Sequence, residues 1–201
     1  MATGFHELKP ADRGAIVASL YSQMAAKHKT KILDKSSAKE MQAAGRFLQF
    51  MGIMDSDKFM TRFATTYFRR MALPFKPGDY FARELDSQIR CCAHEFQHIV
   101  QYETLGMEYT WKYLSSSTHR ARYEAEALRC NMELHWFLHG QLMEPRLLAQ
   151  RLEVYKCSPA DIVFVRQYLL SSTHIIRRGG VVSESSRQCI AILQGMGVET
   201  V

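Results

Sequence analysis

The sequence predicts a mainly α-helical domain of the α+β class, with a small edge sheet or hairpin near residues 59–75. Apolar residues recur at helical spacing in several segments, aromatic and β-branched residues concentrate at 59–75, and Pro or Gly separates these segments. A chain of 201 residues is long enough for a single domain with its own core. Within it we expect an N-terminal helical lobe at 1–57, a central core at 58–139 and a C-terminal helical extension at 140–201.

Composition and charge narrow the class of protein. Apolar residues make up 47% of the chain and charged residues 23%, which is typical of a globular protein. The formal charge is +6, but the basic residues are dispersed, so nucleic-acid binding is only weakly indicated. No signal peptide or membrane-spanning segment is evident, and no membrane partner is expected. The odd number of cysteines, five, predicts reduced thiols and a cytoplasmic location.

The segments before the central core carry no catalytic signal. Apolar side chains at helical spacing predict a first helix at 10–27. A Lys-rich link at 27–35 follows it. Ser37 and Glu40 then form a capping box, which predicts a second helix that ends near Gly52.

Two long helices are predicted after the hairpin, at about 84–103 and 118–138, each with a continuous apolar stripe. Shorter helices are predicted to begin at Pro145 and at Ser158 and to run from 183 to 195. The central core therefore contains the two long helices, and these carry the residues with chemical potential.

The first long helix contains the motif His94-Glu95-x-x-His98. Histidines four residues apart leave the same face of a helix, one turn apart. Both imidazoles can then bind one zinc ion at about 2.0–2.1 Å. Glu95 leaves the helix about 100° further round, where its carboxylate can take a proton from a water on the metal. Two hydrogen-bonded core histidines are the alternative interpretation, but a half-buried Glu95 favours a metal partner.

A zinc site with two histidines needs a third protein ligand, which the second long helix can supply. Glu124 lies at the border of the apolar stripe of that helix, where a side chain faces the edge of the core. Glu126 instead shares its face with charged residues of both signs, which is typical of solvent exposure. These residues are Arg122, Arg129 and Glu133. We therefore predict Glu124 as the third ligand, with Glu126 as the alternative and His119 as a more distant one.

Together the two motifs resemble the gluzincin group of zinc metallopeptidases, in which a glutamate on a later helix completes the His-Glu-x-x-His site. The segment from Glu124 to Leu128 matches the Glu-x-x-Ala-Asp pattern of that group except at Leu128. The resemblance implies a zincin-like core that binds one Zn²⁺ through His94, His98 and Glu124. In that group the aspartate supports a ligand histidine, so here the role falls to Asn131 or to a backbone carbonyl.

Catalysis at such a site needs a base and a hydrogen-bond donor to the oxyanion that forms during peptide hydrolysis. Glu95 is the predicted base. His119 and Tyr123 are the predicted donors because they lie nearest to Glu124 in the chain. Other side chains that could donate are Tyr109, Tyr113 and His174.

The predicted strand at 65–73 resembles the edge strand along which zincins align an extended peptide. A scaffold strand without substrate contact is the alternative. His135 and His139 are also four residues apart, but no glutamate lies between them in the position of a base. We expect these two to be helix-surface histidines.

These observations predict a zinc-dependent metallopeptidase that acts on a peptide or protein substrate. The alternative is a catalytically silent zincin-like protein that serves as a structural or assembly component. The form His-Glu-Phe-x-His-x-x-Gln-Tyr also resembles small zincin-like proteins of bacteria and phages. A location in the virion is therefore an alternative to the cytoplasm if the protein is of phage origin.

Overall fold

The computed structural model describes residues 3–38, 41–42, 57, 60–61 and 63–200 of the chain. Within this part the protein is mainly helical with a small three-stranded sheet, which confirms the predicted fold class. The helices are α1 (Pro10–Lys27), α2 (Leu85–Leu105), α3 (Met107–Ser115), α4 (Ser117–His139), α5 (Pro145–Gln150), α6 (Pro159–Ile176) and α7 (Glu184–Gly195). The strands are β1 (Thr3–Gly4), β2 (Lys31–Asp34), β3 (Thr65–Tyr67), β4 (Arg70–Leu73) and β5 (Val198–Glu199), and short 3-10 helices occur at Phe5–Glu7 and Arg151–Glu153.

The three-stranded sheet has the order β2-β4-β3. β3 and β4 form the antiparallel hairpin that the sequence predicts, and β3 lies at the edge of the sheet. β2 pairs in parallel with β4, with Lys31 opposite Arg70, so the predicted Lys-rich link contains a strand. The four residues of β2, none of them fully buried, carry no clear β pattern in the sequence. They form a strand because they pair with β4, which lies far along the chain. The helix predicted from Ser37 and Glu40 falls mostly outside the described residues.

α2 and α4 pack against each other in the main apolar core. The predicted stripe of α2 is buried there, with Ile89, Phe96 and Ile99 fully enclosed. α4 contributes Cys130 and Leu134 to the same core, and α1 and α7 pack against α2 as well. The helix that carries both motif histidines is therefore fixed by apolar contacts on several sides.

A second apolar cluster covers another face of α4. Leu128 is 3% exposed in this cluster and lies among aliphatic side chains of α5 and α6, including Leu148 and Val165. A carboxylate at position 128 would be buried without a polar partner, which is costly. The packing of the C-terminal helices thus explains why leucine stands where the resemblance implies aspartate.

The charged face predicted for α4 is only partly exposed. Glu133 is 2% exposed, and its carboxylate accepts hydrogen bonds from the backbone N–H groups of Val182 and Ser183. The prediction that this residue faces solvent is therefore wrong. The prediction failed because the segment before α7 covers this face of α4. The position of that segment cannot be inferred from helical phase alone.

His135 and His139 are not simple helix-surface residues, which corrects a second prediction. His139 Nε2 lies 3.2 Å from Asp86 Oδ2, and His135 Nδ1 lies 3.4 Å from Arg90 Nη1. Burial, together with the positive charges of His139 and Arg90, lowers the pKa of His135 to about 4. Both histidines are half-buried where the end of α4 meets the start of α2.

The first and last described strands meet, since β1 pairs in parallel with β5. All five cysteines carry free thiols, as their odd number predicts. Among the described residues, none of the helices has the length and apolar character needed to cross a membrane.

Candidate metal centre

α2 and α4 bring His94, His98 and Glu124 together at one point. The two imidazole rings leave the same face of α2, with their centroids 5.0 Å apart. His94 Nε2 lies 3.5 Å from Glu124 Oε2, and His98 Nε2 lies 3.5 Å from Glu124 Oε1. The three side chains predicted as ligands thus form one cluster.

The spacing of these donor atoms fits one zinc ion. Two donors bound to a tetrahedral ion at about 2.0–2.1 Å lie about 3.4 Å apart, close to the two distances of 3.5 Å between nitrogen and oxygen. Two imidazoles and one carboxylate also form a common donor set of catalytic zinc sites, which keep a fourth position open. By spacing and by chemistry, the residues present fit Zn²⁺.

A hydrogen-bond network sets the tautomer of His98. The side-chain nitrogen of Gln101 donates to the Glu126 carboxylate over 2.8 Å and to the Tyr123 backbone carbonyl over 3.0 Å. The Gln101 amide oxygen therefore faces His98 and accepts a hydrogen bond from Nδ1 over 2.9 Å. This leaves the Nε2 lone pair for a metal ion. Glu126, the alternative ligand, holds Gln101 in place.

Asn131 supports the other histidine. Its Nδ2 lies 3.4 Å from His94 Nδ1, while its Oδ1 is buried without a hydrogen bond. Turning the amide by 180° places the oxygen against Nδ1, where it can accept a hydrogen bond from the imidazole. The backbone carbonyl of Ala127 also interacts with this imidazole. Both groups suggested for the supporting role therefore lie beside His94.

The carboxylate of Glu124 is 2% exposed and needs compensation for its burial. Tyr113 donates a hydrogen bond to Oε1 over 2.6 Å. Burial alone would raise the pKa of Glu124, but the charges of His98 and His94 and the Tyr113 hydroxyl bring it down to about 2. Burial likewise would lower the pKa of His94, yet Glu124 raises it above its ordinary value. The Glu124 carboxylate is therefore ionised over the whole physiological range.

The helix α3, which the sequence did not predict, places two tyrosines on this site. Tyr109 and Tyr113 are one helical turn apart and share the inner face of α3. The Tyr109 hydroxyl lies 3.1 Å from His98 Nδ1. Burial and the charge of Glu124 raise the pKa of both hydroxyls well above the usual value, so both stay protonated.

The edge strand β3 positions the carboxylate of Glu95. Thr66 Oγ1 donates a hydrogen bond to Glu95 Oε2 over 2.8 Å. In the described part of the chain, no hydrogen bond occupies the other oxygen, Oε1. Glu95 is 6% exposed and directly follows His94, so its carboxylate lies beside the ligand cluster rather than within it. The arrangement leaves Oε1 available to accept a proton.

Lys35 follows β2 and is fully buried near Glu95. Its ammonium group donates hydrogen bonds to the Phe63 carbonyl over 2.7 Å and to Thr65 Oγ1 over 2.6 Å. Burial lowers the pKa of Lys35 to about 8, although the Glu95 carboxylate acts in the opposite direction. This lysine therefore places a titratable positive charge near the predicted base.

We expect Lys35→Met to remove a pH dependence of stability. Above about pH 8 the folded protein loses this proton, whereas the unfolded chain keeps it up to about pH 10.4. Because the unfolded state then binds more protons, stability rises with pH in this window, by up to about 3 kcal/mol. Chemical denaturation of both proteins at several pH values between about 8 and 10.4 gives the difference between their free energies of unfolding.

The exposed residue Lys31, at the start of β2, supplies the control substitution, Lys31→Met. A difference between wild type and Lys35→Met that stays flat over the window would show that Lys35 has an ordinary pKa.

His119 and Tyr123, the predicted oxyanion donors, lie to one side of the ligand cluster. His119 Nδ1 is 3.0 Å from Ser116 Oγ, and the Tyr123 ring packs on Tyr109 with centroids 4.8 Å apart. Among the described residues, no hydrogen bond joins either side chain to Glu95 or to a predicted ligand. Their catalytic roles stay predictions.

Tyr155 approaches the site from the C-terminal part, in the turn after the Arg151–Glu153 helix. Burial and the charges of Glu124 and Glu95 raise its pKa well above the usual value. Its ring packs on Phe63, with centroids 6.0 Å apart. No hydrogen bond ties the Tyr155 hydroxyl to another described residue, so this protonated hydroxyl is available to a ligand.

Sequence reasoning missed Gln101, Lys35 and Tyr155. Gln101 follows His98 by three residues on the same helix, and this i, i+3 spacing was a usable signal. Lys35 and Tyr155 have no such signal, because only tertiary packing brings them to the site.

Comparisons of the chain with protein-family models, with curated proteins and with solved structures find no match.

Proposed function

We propose that this protein is a zinc-dependent metallopeptidase of the gluzincin type, with His94, His98 and Glu124 as the zinc ligands and Glu95 as the base. One observation carries the proposal. A second carboxylate, Glu95, lies beside a cluster of two imidazoles and one carboxylate, and Thr66 holds one of its oxygens. A purely structural zinc site has no need of a buried base next to its ligands.

The chemistry of the chain follows from this arrangement. Zinc, when bound, would polarise the scissile carbonyl and make a water more acidic. Thr66 fixes Glu95 Oε2, so Oε1 takes the proton from the attacking water and delivers it to the leaving amine. Lys35 keeps a positive charge near this carboxylate as the proton moves. Tyr113 and Gln101 meanwhile hold Glu124 and His98 in fixed orientations.

Within this proposal we choose Tyr155 as the donor for the tetrahedral oxyanion. Its hydroxyl is protonated, lies within the electrostatic reach of Glu95 and Glu124, and is not engaged by another described residue. Tyr113 and Tyr109 already contact Glu124 and His98, and each would have to leave that partner to serve. A pre-positioned and unengaged donor needs no such rearrangement.

We expect Tyr155→Phe to lower kcat by about 10²–10³-fold, the usual cost of one oxyanion donor, with little change in zinc affinity. Steady-state kinetics on a cleaved peptide measures the first quantity, and competition with a chromophoric chelator measures the second. Tyr123→Phe is the companion variant. A large loss of kcat in Tyr123→Phe with none in Tyr155→Phe would assign the donor role to Tyr123 instead.

The substrate best suited to this site is an extended peptide segment. β3 is paired on one side by β4, and no described strand pairs with its other side. Thr66 of this strand contacts Glu95, so a peptide that adds to the edge of β3 would pass the base. The ligands are deeply placed, with the His98 side chain 7% exposed, which favours a thin and flexible chain over a folded surface.

The same burial is the observation that favours the second candidate, a catalytically silent protein with a structural or assembly role. Glu124 and His98 are enclosed, and among the three ligands His94 has the most exposed side chain, at 14%. An enclosed cluster of this kind also suits a metal ion that only holds two helices together.

One experiment separates the two functions. Untagged protein is loaded with zinc and incubated with denatured proteins and a peptide library, and mass spectrometry identifies new termini. The peptidase proposal predicts cleavage that a zinc chelator stops and added zinc restores. Bound zinc without any chelator-sensitive cleavage would overturn it in favour of the structural role.

A further inference from the structure

A second cluster of metal-ligating side chains lies away from the first. His6 of the short N-terminal 3-10 helix, Asp86 of the first turn of α2 and His139 of the last turn of α4 meet there. His6 Nε2 is 3.4 Å from Asp86 Oδ2, and His139 Nε2 is 3.2 Å from the same oxygen. The centroids of the two imidazole rings lie 4.7 Å apart. Three segments distant in sequence thus converge on one carboxylate.

The hydrogen bonding of this cluster is incomplete. Asp86 is 4% exposed, yet its Oδ1 accepts no hydrogen bond among the described residues, and His139 Nε2 is also buried without one. Arg13 Nη2 lies 3.6 Å from Oδ1, too far to donate a good hydrogen bond. Buried polar atoms are normally satisfied, so the unpaired Nε2 of His139, which faces Asp86 Oδ2, calls for a further partner.

The donor set points to the class of that partner. Donors on one tetrahedral ion lie about 3.4 Å apart, which matches the distances of 3.4 and 3.2 Å here. Two imidazoles with one carboxylate suit zinc, nickel or copper, whereas calcium and magnesium prefer sites made of oxygen. The His6 side chain is 40% exposed, which leaves an open side for ion entry and for water as a further ligand.

We propose that His6, Asp86 and His139 form a second binding site for a divalent transition-metal ion of the zinc class, separate from the site of His94, His98 and Glu124. Asp86 precedes His94 by eight residues on α2, a separation of about 12 Å along the helix. The second site ties the N-terminal 3-10 helix to the start of α2 and the end of α4. We assign it a structural role, because its three ligands come from three segments that are distant in sequence.

A cation already near this site sets its affinity. The Arg13 guanidinium competes with a metal ion for the negative charge of Asp86. Because this charge is shared, metal binding depends strongly on the two imidazoles. Removing that charge by Arg13→Gln should tighten metal binding several-fold. If instead a protonated histidine balances the charge of Asp86, Arg13→Gln would strengthen the hold on that proton. Metal binding would then become weaker in this variant rather than tighter.

The test counts bound Zn²⁺ and Co²⁺ per chain in untagged protein, by equilibrium competition with a chromophoric chelator. Wild type should bind two ions. His94→Ala/His98→Ala, which silences the first site, should bind one, and addition of His139→Gln should abolish it. His135→Gln, one turn away on the same face of α4, is the matched control and should leave that ion in place.

His6→Asn supplies a second variant, because His6 lies on an exposed turn and its loss is not expected to prevent folding. Circular dichroism verifies that each variant is folded. No ion in His94→Ala/His98→Ala, or an ion that persists after both His139→Gln and His6→Asn, would overturn the second site. A wild type that binds one ion, sensitive to His139→Gln alone, would instead keep the second site and refute the first.

Discussion

Glu95→Gln is expected to lower peptidase activity by about 10²–10⁴-fold, the range for loss of a general base. Glutamine keeps the size of the side chain and can still accept a hydrogen bond from Thr66 through its amide oxygen. It cannot take a proton from water, so the chemical step loses its base. Because Glu95 lies outside the ligand cluster, zinc affinity should change little. Activity and zinc affinity are therefore expected to separate in this variant.

Glu108→Gln is a suitable control, since Glu108 is exposed on α3 and pairs with Lys112 away from the site. It should retain wild-type activity. Equal activity of Glu95→Gln and wild type, with zinc bound in both, would remove Glu95 from the mechanism.

Glu124→Gln is expected to weaken zinc binding by more than about 100-fold. Loss of groups that only support a ligand costs about 10–100-fold, and Glu124 is placed as a ligand itself. The substitution keeps a group that can accept the Tyr113 hydrogen bond but removes the negative charge between two imidazoles. Activity at limiting zinc should fall in parallel. Chelator competition on wild type and variant, under one buffer condition, gives the ratio of dissociation constants.

Glu126→Gln makes the comparison decisive, because Glu126 is the alternative ligand and lies two residues after Glu124 on the same helix. Its carboxylate acts through Gln101, so a loss of about 10-fold is expected. A larger loss in Glu126→Gln than in Glu124→Gln would reverse the assignment of the third ligand.

The cluster of candidate ligands was predictable from the sequence because the position of each residue depends on local helical geometry. His94 and His98 share a face through their i, i+4 spacing, and the phase of the second long helix separates Glu124 from Glu126. The structure brings these predicted ligands together. Local periodicity was sufficient to predict the face of a helix on which each of these residues lies.

The rest of the site depends on long-range packing, which periodicity does not encode. Lys35 comes near Glu95 only because β2 pairs with β4, and Tyr155 comes near it only because a C-terminal turn folds back. Glu133 and His139 carried polar patterns typical of an exposed face, yet other segments cover them. Helical phase shows which side a residue faces but not what covers that side.

The packing of α2 against α4 has a consequence for the life cycle of the protein. The two helices are joined by an apolar core that includes Phe96 and Leu134, and the Tyr113 hydroxyl already holds Glu124. Small zinc fingers, in contrast, fold only with their metal. Under the proposed function, withdrawal of zinc is therefore expected to stop activity while the chain stays folded. In that case synthesis and activation would be separable in time and place, with zinc supply as the trigger.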